Sequence, residues 1–250
     1  MRRNTIIAVL VAAALFVVGG LVRTAEAAGD TTITGVVVNG GQNVVLGTTY
    51  SKTFTVTVTA TDDSGIKAAD FYLHGPAAGF AGPGGAITCA ASSATQATCS
   101  GSFTVDPRVD LYDIDQAGTW YVAAQVEATG GDFITAEQAG SFTLQRYSKL
   151  TANASPEPVA SGATVTVTGK LTRASWETRN YVGYSGQTVT LQFRKSGSTT
   201  YSNVKTATTS STGGLSTTTT ASVDGCWRWY FPGTTTTPAV TATADCVDVQ

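Results

Sequence analysis

Residues 217–249 read TTTTASVDGCWRWYFPGTTTTPAVTATADCVDV, and this stretch decides the fold. Side chains alternate between the faces of an extended strand, so Trp227, Trp229 and Phe231 share one face while Cys226, Arg228 and Tyr230 share the other. Pro232-Gly233 turns the chain. On the return, Val240, Ala242, Ala244 and Cys246 are expected on one face, and Cys246 comes back beside Cys226. The stretch therefore predicts a hairpin locked by a cross-strand disulfide at the end of a β-sandwich. Nothing in it resembles an active site.

The chain opens on a different pattern. Arg2 and Arg3 precede an apolar run from Ile6 to Leu21, and Ala25-Glu26-Ala27 places small residues three and one positions before a cut after Ala27. Residues 1–27 are expected to be a cleaved signal peptide, since the run is short for a membrane span. No cysteine at the cut offers a lipid attachment point, and no second apolar run reaches membrane length. The mature chain is thus expected outside the cell, released or loosely associated with the wall, without a membrane anchor.

Of 15 basic and 17 acidic residues, cleavage removes Arg2, Arg3, Arg23 and Glu26, leaving 12 and 16 and a net charge near −4. Nucleic acid and anionic membranes are poor partners for such a surface. Low charge, abundant Gly and heavy Thr, Val and Ser usage favour strands joined by turns. The four cysteines, in an exported chain, predict two disulfides. Cys89 and Cys99 are close in sequence, as are Cys226 and Cys246, so local pairing is expected, each loop closure being worth about 3 kcal/mol in the chain-entropy model. The spacings miss the CxxC pattern of a structural zinc site.

Strand signals then divide the remainder into residues 28–147 and 148–250. In the first part, Phe54, Val56, Val58 and Ala60 face inward along YSKTFTVTVTATDDSG, and Phe71 and Leu73 alternate with Asp70, Tyr72 and His74. GPAAGFAGPGGA is too rich in Gly and Pro for regular structure and reads as a surface loop or an edge cover. Trp120, Val122, Ala124, Val126 and Ala128 form an inward face, and Phe142 and Leu144 close the domain. In the second part, ATVTVTGKL and QTVTLQFRK alternate cleanly, and seven short strands fit about 100 residues. No window shows helical periodicity. The fold expected is all-β: two Ig-like Greek-key sandwiches following the signal peptide.

VTVTGKLTRASW, YSGQTVTLQFRKSGSTTYSNVKTATTSSTGGLSTTTTASVDGCWRWYFPG and the closing DCVDV resemble a small module of secreted, mostly uncharacterised proteins from Streptomyces and related actinomycetes. The resemblance covers Leu150 to Val249 and implies an extracellular Ig-like fold without implying an activity. The first domain resembles bacterial Ig-like domains more loosely.

Two groups of residues invite a functional reading. Asp106, Asp110, Asp113 and Asp115 in DPRVDLYDID offer hard oxygen ligands for calcium, although the D-x-[DN]-x-[DN]-G loop pattern fails at Ala117 and turn formation accounts for the same residues. Trp176, Tyr181 and Tyr184 lie in the polar stretch Thr172 to Ser185, outside the alternation that assigns the other rings to a face. Exposed there, they predict a binding patch for cell-wall polysaccharide or another extracellular protein. Catalysis finds little support: His74 is the only histidine, and neither a Gly-x-Ser-x-Gly elbow nor a His-Glu-x-x-His pair occurs. No cofactor motif appears. The expected function is a non-catalytic structural or adhesion protein, with a glycan- or protein-binding accessory protein and then a secreted hydrolase as alternatives.

Overall fold

Thr and Val alternate through much of the chain, and β-branched side chains pack well on a pleated surface that is buried on one side only. The computed structural model describes residues 29–250; the signal peptide expected at residues 1–27 lies outside the described residues. The first half contains β1 (Thr32–Val38), β2 (Val44–Leu46), β3 (Lys52–Thr61), β4 (Ile66–Gly75), β5 (Gly79–Ala81), β6 (Thr88–Ala91), β7 (Gln96–Val105), β8 (Gly118–Ala128) and β9 (Phe133–Arg146). One sheet runs β1-β3-β7-β6 and the facing sheet β2-β9-β8-β4-β5. The chain changes sheets after β1, β2, β3, β5 and β7, and β2 joins β9 in parallel. This is the Greek-key order of an Ig-like sandwich.

Its core contains Phe54, Val56, Val58, Phe71, Leu73, Phe103, Trp120, Val122 and Leu144, all buried. The Gly/Pro-rich stretch after β4 is more ordered than a surface loop. It makes a tight hairpin to β5, with Leu73 opposite Ala81. Glycine is required there because a Cβ on Gly75 or Gly79 would meet the Trp120 ring at 2.5 or 2.6 Å. The Trp120 indole N–H donates to the Gln116 carbonyl at 2.7 Å, so the ring that the hairpin covers keeps its one polar group bonded.

The second half contains β10 (Ser148–Ser155), β11 (Thr164–Ser175), β12 (Asn180–Gly183), β13 (Thr188–Lys195), β14 (Ser202–Thr208), β15 (Gly214–Thr220), β16 (Gly225–Phe231), β17 (Val240–Thr241) and β18 (Asp245–Val247). β11 is flanked by β10 and, on its other edge, by β12 and β15, while β14-β13-β16 continues to β17 and β18. Trp227, Trp229 and Phe231 point into this second core, beside Val165, Val167, Leu171, Val189 and Leu191. Both disulfides, Cys89–Cys99 and Cys226–Cys246, lie across neighbouring strands.

The return strand is not continuous. Phe231 pairs with Val240, but Cys226 pairs with Cys246, one residue out of step. The chain leaves the ladder between β17 and β18, so Val247 is buried and Cys246 is turned outward. An extra residue in one strand switches the face of everything beyond it, which is why Val240, Ala242, Ala244 and Cys246 do not share one side.

The two sandwiches meet without a linker. β9 ends at Arg146 and β10 begins at Ser148, and the Tyr147 backbone serves both. Its N–H donates to Leu46 in the first half, and its carbonyl accepts from Ala174 in the second, at 2.8 and 2.9 Å.

Candidate functional site

Trp176, Tyr181 and Tyr184 do not form an exposed patch. The polar stretch that carries them is the end of β11 and its hairpin partner β12, and it packs against the junction. Trp176 is fully buried and belongs to the core of the first sandwich, where its indole N–H donates to the Gly47 carbonyl at 3.0 Å. Tyr184 is buried in the second core against Phe231, with the Arg173 guanidinium 3.7 Å over its ring. Tyr181 lies between them, edge-on to Tyr147 and under the Lys149 ammonium at 3.7 Å. Burial pushes the Tyr181 hydroxyl pKa up, with a smaller contribution from Tyr147. The three rings therefore divide between two cores and the seam.

Arg146 is buried in the same seam. Its backbone N–H donates to Thr236 at 2.9 Å and its Nε to Ala174 at 2.6 Å. Loss of solvent, then repulsion from Arg173, lowers its pKa to about 10, still well above neutrality. Gln145 extends the contact by donating to the carbonyls of Thr234 and Thr235, both at 3.1 Å.

The four loop aspartates do not converge. Asp106 forms a two-point pair with Arg108, at 3.0 Å to Nε and 2.7 Å to Nη2, which holds its pKa at about 2. Asp110 accepts the Asp106 backbone N–H at 2.7 Å. Asp113 caps the 3-10 turn Ile114–Gln116, accepting from Asp115 N–H at 2.8 Å, and Asp115 is exposed. Asp106, Asp110 and Asp113 thus have turn-forming roles, and the Asp115 carboxylate faces solvent.

Among the described residues, a different trio of carboxylates gathers: Asp30, Asp62 and Asp132, with oxygens within 4.8 Å of one another. Sequence reading missed it because the three come from the chain start, the end of β3 and the β8–β9 turn. Asp62 is buried and accepts from Thr31 Oγ1 at 2.6 Å and from Ser64 Oγ and N–H at 2.6 and 2.8 Å. Those donors, Ser64 foremost, hold its pKa below the usual range. Asp30 is pushed up by partial loss of solvent and by Asp63 and Asp62.

A row of outward-facing rings lies elsewhere, on the outer face of β5-β4-β8-β9. Alternation places Asp70, Tyr72 and His74 of β4 outward, opposite Gln125, Ala123 and Tyr121 of β8. Phe80 of β5 stands opposite His74 and is 59% exposed. Ring centroids step from Phe80 to Tyr72 at 5.5 Å, Tyr72 to His74 at 6.1 Å and His74 to Tyr121 at 5.6 Å. Glu137 of β9 fixes the row: its carboxylate accepts from the Tyr72 hydroxyl at 3.0 Å, and its carbonyl meets His74 Nε2 at 2.8 Å. That hydrogen bond, then burial and the Glu137 charge, raises the Tyr72 pKa. Beyond the row, Ala68, Asp70, Gln125, Glu127 and Phe133 line a shallow groove of about 280 Å³. The alternation in ADFYLHG was legible; that its outward residues meet Tyr121, Phe80 and Glu137 was not, because cross-strand register is invisible in one sequence.

No family model and no characterised protein sequence matches the chain. Several solved structures are similar. PorU from Porphyromonas gingivalis aligns over 88% of this chain and 20% of its own, at 14% identity and TM-score 0.29, so the chain spans about a fifth of that protein. The D00-D0 domain of intimin aligns over 85% and 98%, at 14% identity and TM-score 0.29. The chicken interferon gamma receptor alpha chain aligns over 89% and 99%, at 13% identity and TM-score 0.36. The fold assignment itself stands on the strand order and register: the chain is an all-β protein of two Ig-like sandwiches.

Proposed function

We propose that this is an exported, non-catalytic protein that acts outside the cell through surface contact. The observation that carries the reading is the outward row Phe80, Tyr72, His74 and Tyr121, held by Glu137 on a rigid sheet. Two of these rings, Phe80 and Tyr72, are exposed and adjoin the half-buried His74 and Tyr121, and contiguous surface rings are a recognition feature where isolated exposed apolar residues are not. The surroundings of His74 favour contact over turnover. Its ring is packed between Tyr72 and Tyr121 and bonds a backbone carbonyl, and the four cysteines are paired in disulfides. The disulfides suit an oxidising compartment, and no helix among the described residues is long and apolar enough to cross a membrane.

The test is incubation of the oxidised protein with insoluble glycans, cell-wall fractions and extracellular protein extracts, scoring both retention and released products. Retention without product is expected. Product formation abolished by one carboxylate or serine substitution would replace this reading with a hydrolase.

A further inference from the structure

We infer that the outer face of β5-β4-β8-β9 binds a neutral polysaccharide chain, an assignment that rests on the contact reading above and adds a site and a ligand class. Sugars present apolar C–H patches and rims of hydroxyls, and recognition requires rings interleaved with hydrogen-bonding groups. This face supplies both. The ring row lies at one end and Phe133, 43% exposed, at the other. Ala68 leaves the floor between them low, flanked by Asp70, Gln125 and Glu127. From Ala68 to His74 the strip runs roughly 20 Å, six residues at about 3.3 Å each, long enough for several sugar units.

Charge selects the occupant. Three carboxylates face outward here, but two are already engaged: Glu127 pairs with Lys67 at 2.6 Å, and Glu137 accepts the Tyr72 hydroxyl. A site for a cation would keep its carboxylates free for the guest. An anionic glycan would meet net negative charge with only Lys67 to offset it. Asp70 and Gln125, cross-strand partners in the groove, make no side-chain hydrogen bond among the described residues. They offer one acceptor pair and one amide to hydroxyls that can donate and accept in turn. An uncharged, hydroxyl-rich chain satisfies these groups and lays apolar patches against the rings.

The measurement is affinity gel electrophoresis of the full oxidised chain through gels containing hydroxyethylcellulose, dextran or soluble starch, with polygalacturonate as the anionic comparison and oligolysine binding measured by calorimetry. Retardation by at least one neutral polymer is expected, with little by polygalacturonate. Phe80→Ala and Tyr72→Ala should each weaken it about three- to ten-fold, the range of a single aromatic contact. Asp70→Asn and Gln125→Ala test the polar arm, while unchanged thermal melting excludes unfolding as the cause. Retardation by none of the neutral polymers overturns the inference, as does retardation that survives all four substitutions or tight oligolysine binding lost in Asp70→Asn. Should the face fail while the wild type and these variants are still retained on wall or protein fractions without product, the contact reading survives and only this site and ligand class fall.

Discussion

At Trp176, one side chain from the second half completes the core of the first. Truncating it to Ala empties a fully buried site and orphans the Gly47 carbonyl, so Trp176→Ala should cost about 3–5 kcal/mol in urea unfolding. Trp176→Phe keeps most of the ring but loses the N–H donor, and a smaller loss of about 1–2 kcal/mol is expected. A cost below about 1 kcal/mol for the alanine variant would mean the ring is not packed as described. Sequence alone could not place this residue. Its neighbours Thr172, Arg173, Glu177 and Thr178 are polar, which reads as solvent, whereas the seam between two domains tolerates polar residues around a buried ring. Asp30 supplies a charge test. Its pKa is raised above 3.8 in the folded protein, so the folded state holds a proton more tightly than the unfolded chain, and stability falls as pH rises from about 3.8 through the raised value. Asp30→Asn removes that loss. It should raise the urea midpoint at pH 7 and give no comparable gain at pH 3, where the native carboxyl is protonated.

At the scale of elements, alternation was a dependable guide where it was strong. Phe54 to Ala60 and Trp120 to Ala128 face inward as their period of two implies, all of them buried on that phase. It failed where the ladder is irregular. β9 starts at Phe133, well before the Phe142 and Leu144 that the pattern picked out, because FITAEQAG carries few large apolar residues and a register shift interrupts its pairing with β8 between Val122 and Ala124. The break between β17 and β18 was hidden for the same reason, since a bulge changes phase without leaving a composition signal. The two disulfides should consequently differ in weight. Cys89–Cys99 joins β6 to β7, a strand already paired with β3 along its whole length. Cys226–Cys246 secures β18, which has only three residues paired with β16. Replacing Cys226 and Cys246 with Ser should cost about 2–4 kcal/mol and speed amide exchange at Val247 and Val249. The corresponding Cys89 and Cys99 double substitution should shift the melting temperature less and leave exchange in β3 unchanged. Equal effects on melting would contradict this division of labour.

For the whole molecule, the spacing of strands suggested a boundary between residues 147 and 148, and it carried no sign of the contacts across that point. Periodicity tells which way a side chain points along its own strand, and it does not say which of two cores receives it. The structure ties the halves through Trp176 inside the first core, Arg146 bonded to Ala174 and Thr236, Gln145 bonded to Thr234 and Thr235, and a Tyr147 backbone shared between halves. The Nε and backbone N–H of Arg146 find their protein partners only when the second sandwich is docked. Separation of the halves would also uncover Trp176 and leave its cavity in the first core. A single cooperative transition is therefore expected for the intact oxidised chain, with calorimetric and van't Hoff enthalpies in agreement. Trp176→Ala should weaken the coupling and separate the trace into two transitions, the lower one belonging to the first sandwich, which loses core volume. Isolated residues 148–250 should show a red-shifted tryptophan contribution that is absent from the intact protein, because Trp176 is then in water while Trp227 and Trp229 stay buried. Two resolved transitions in the unaltered chain would show that the seam contributes too little to join the cores, and that the sandwiches melt as neighbours only.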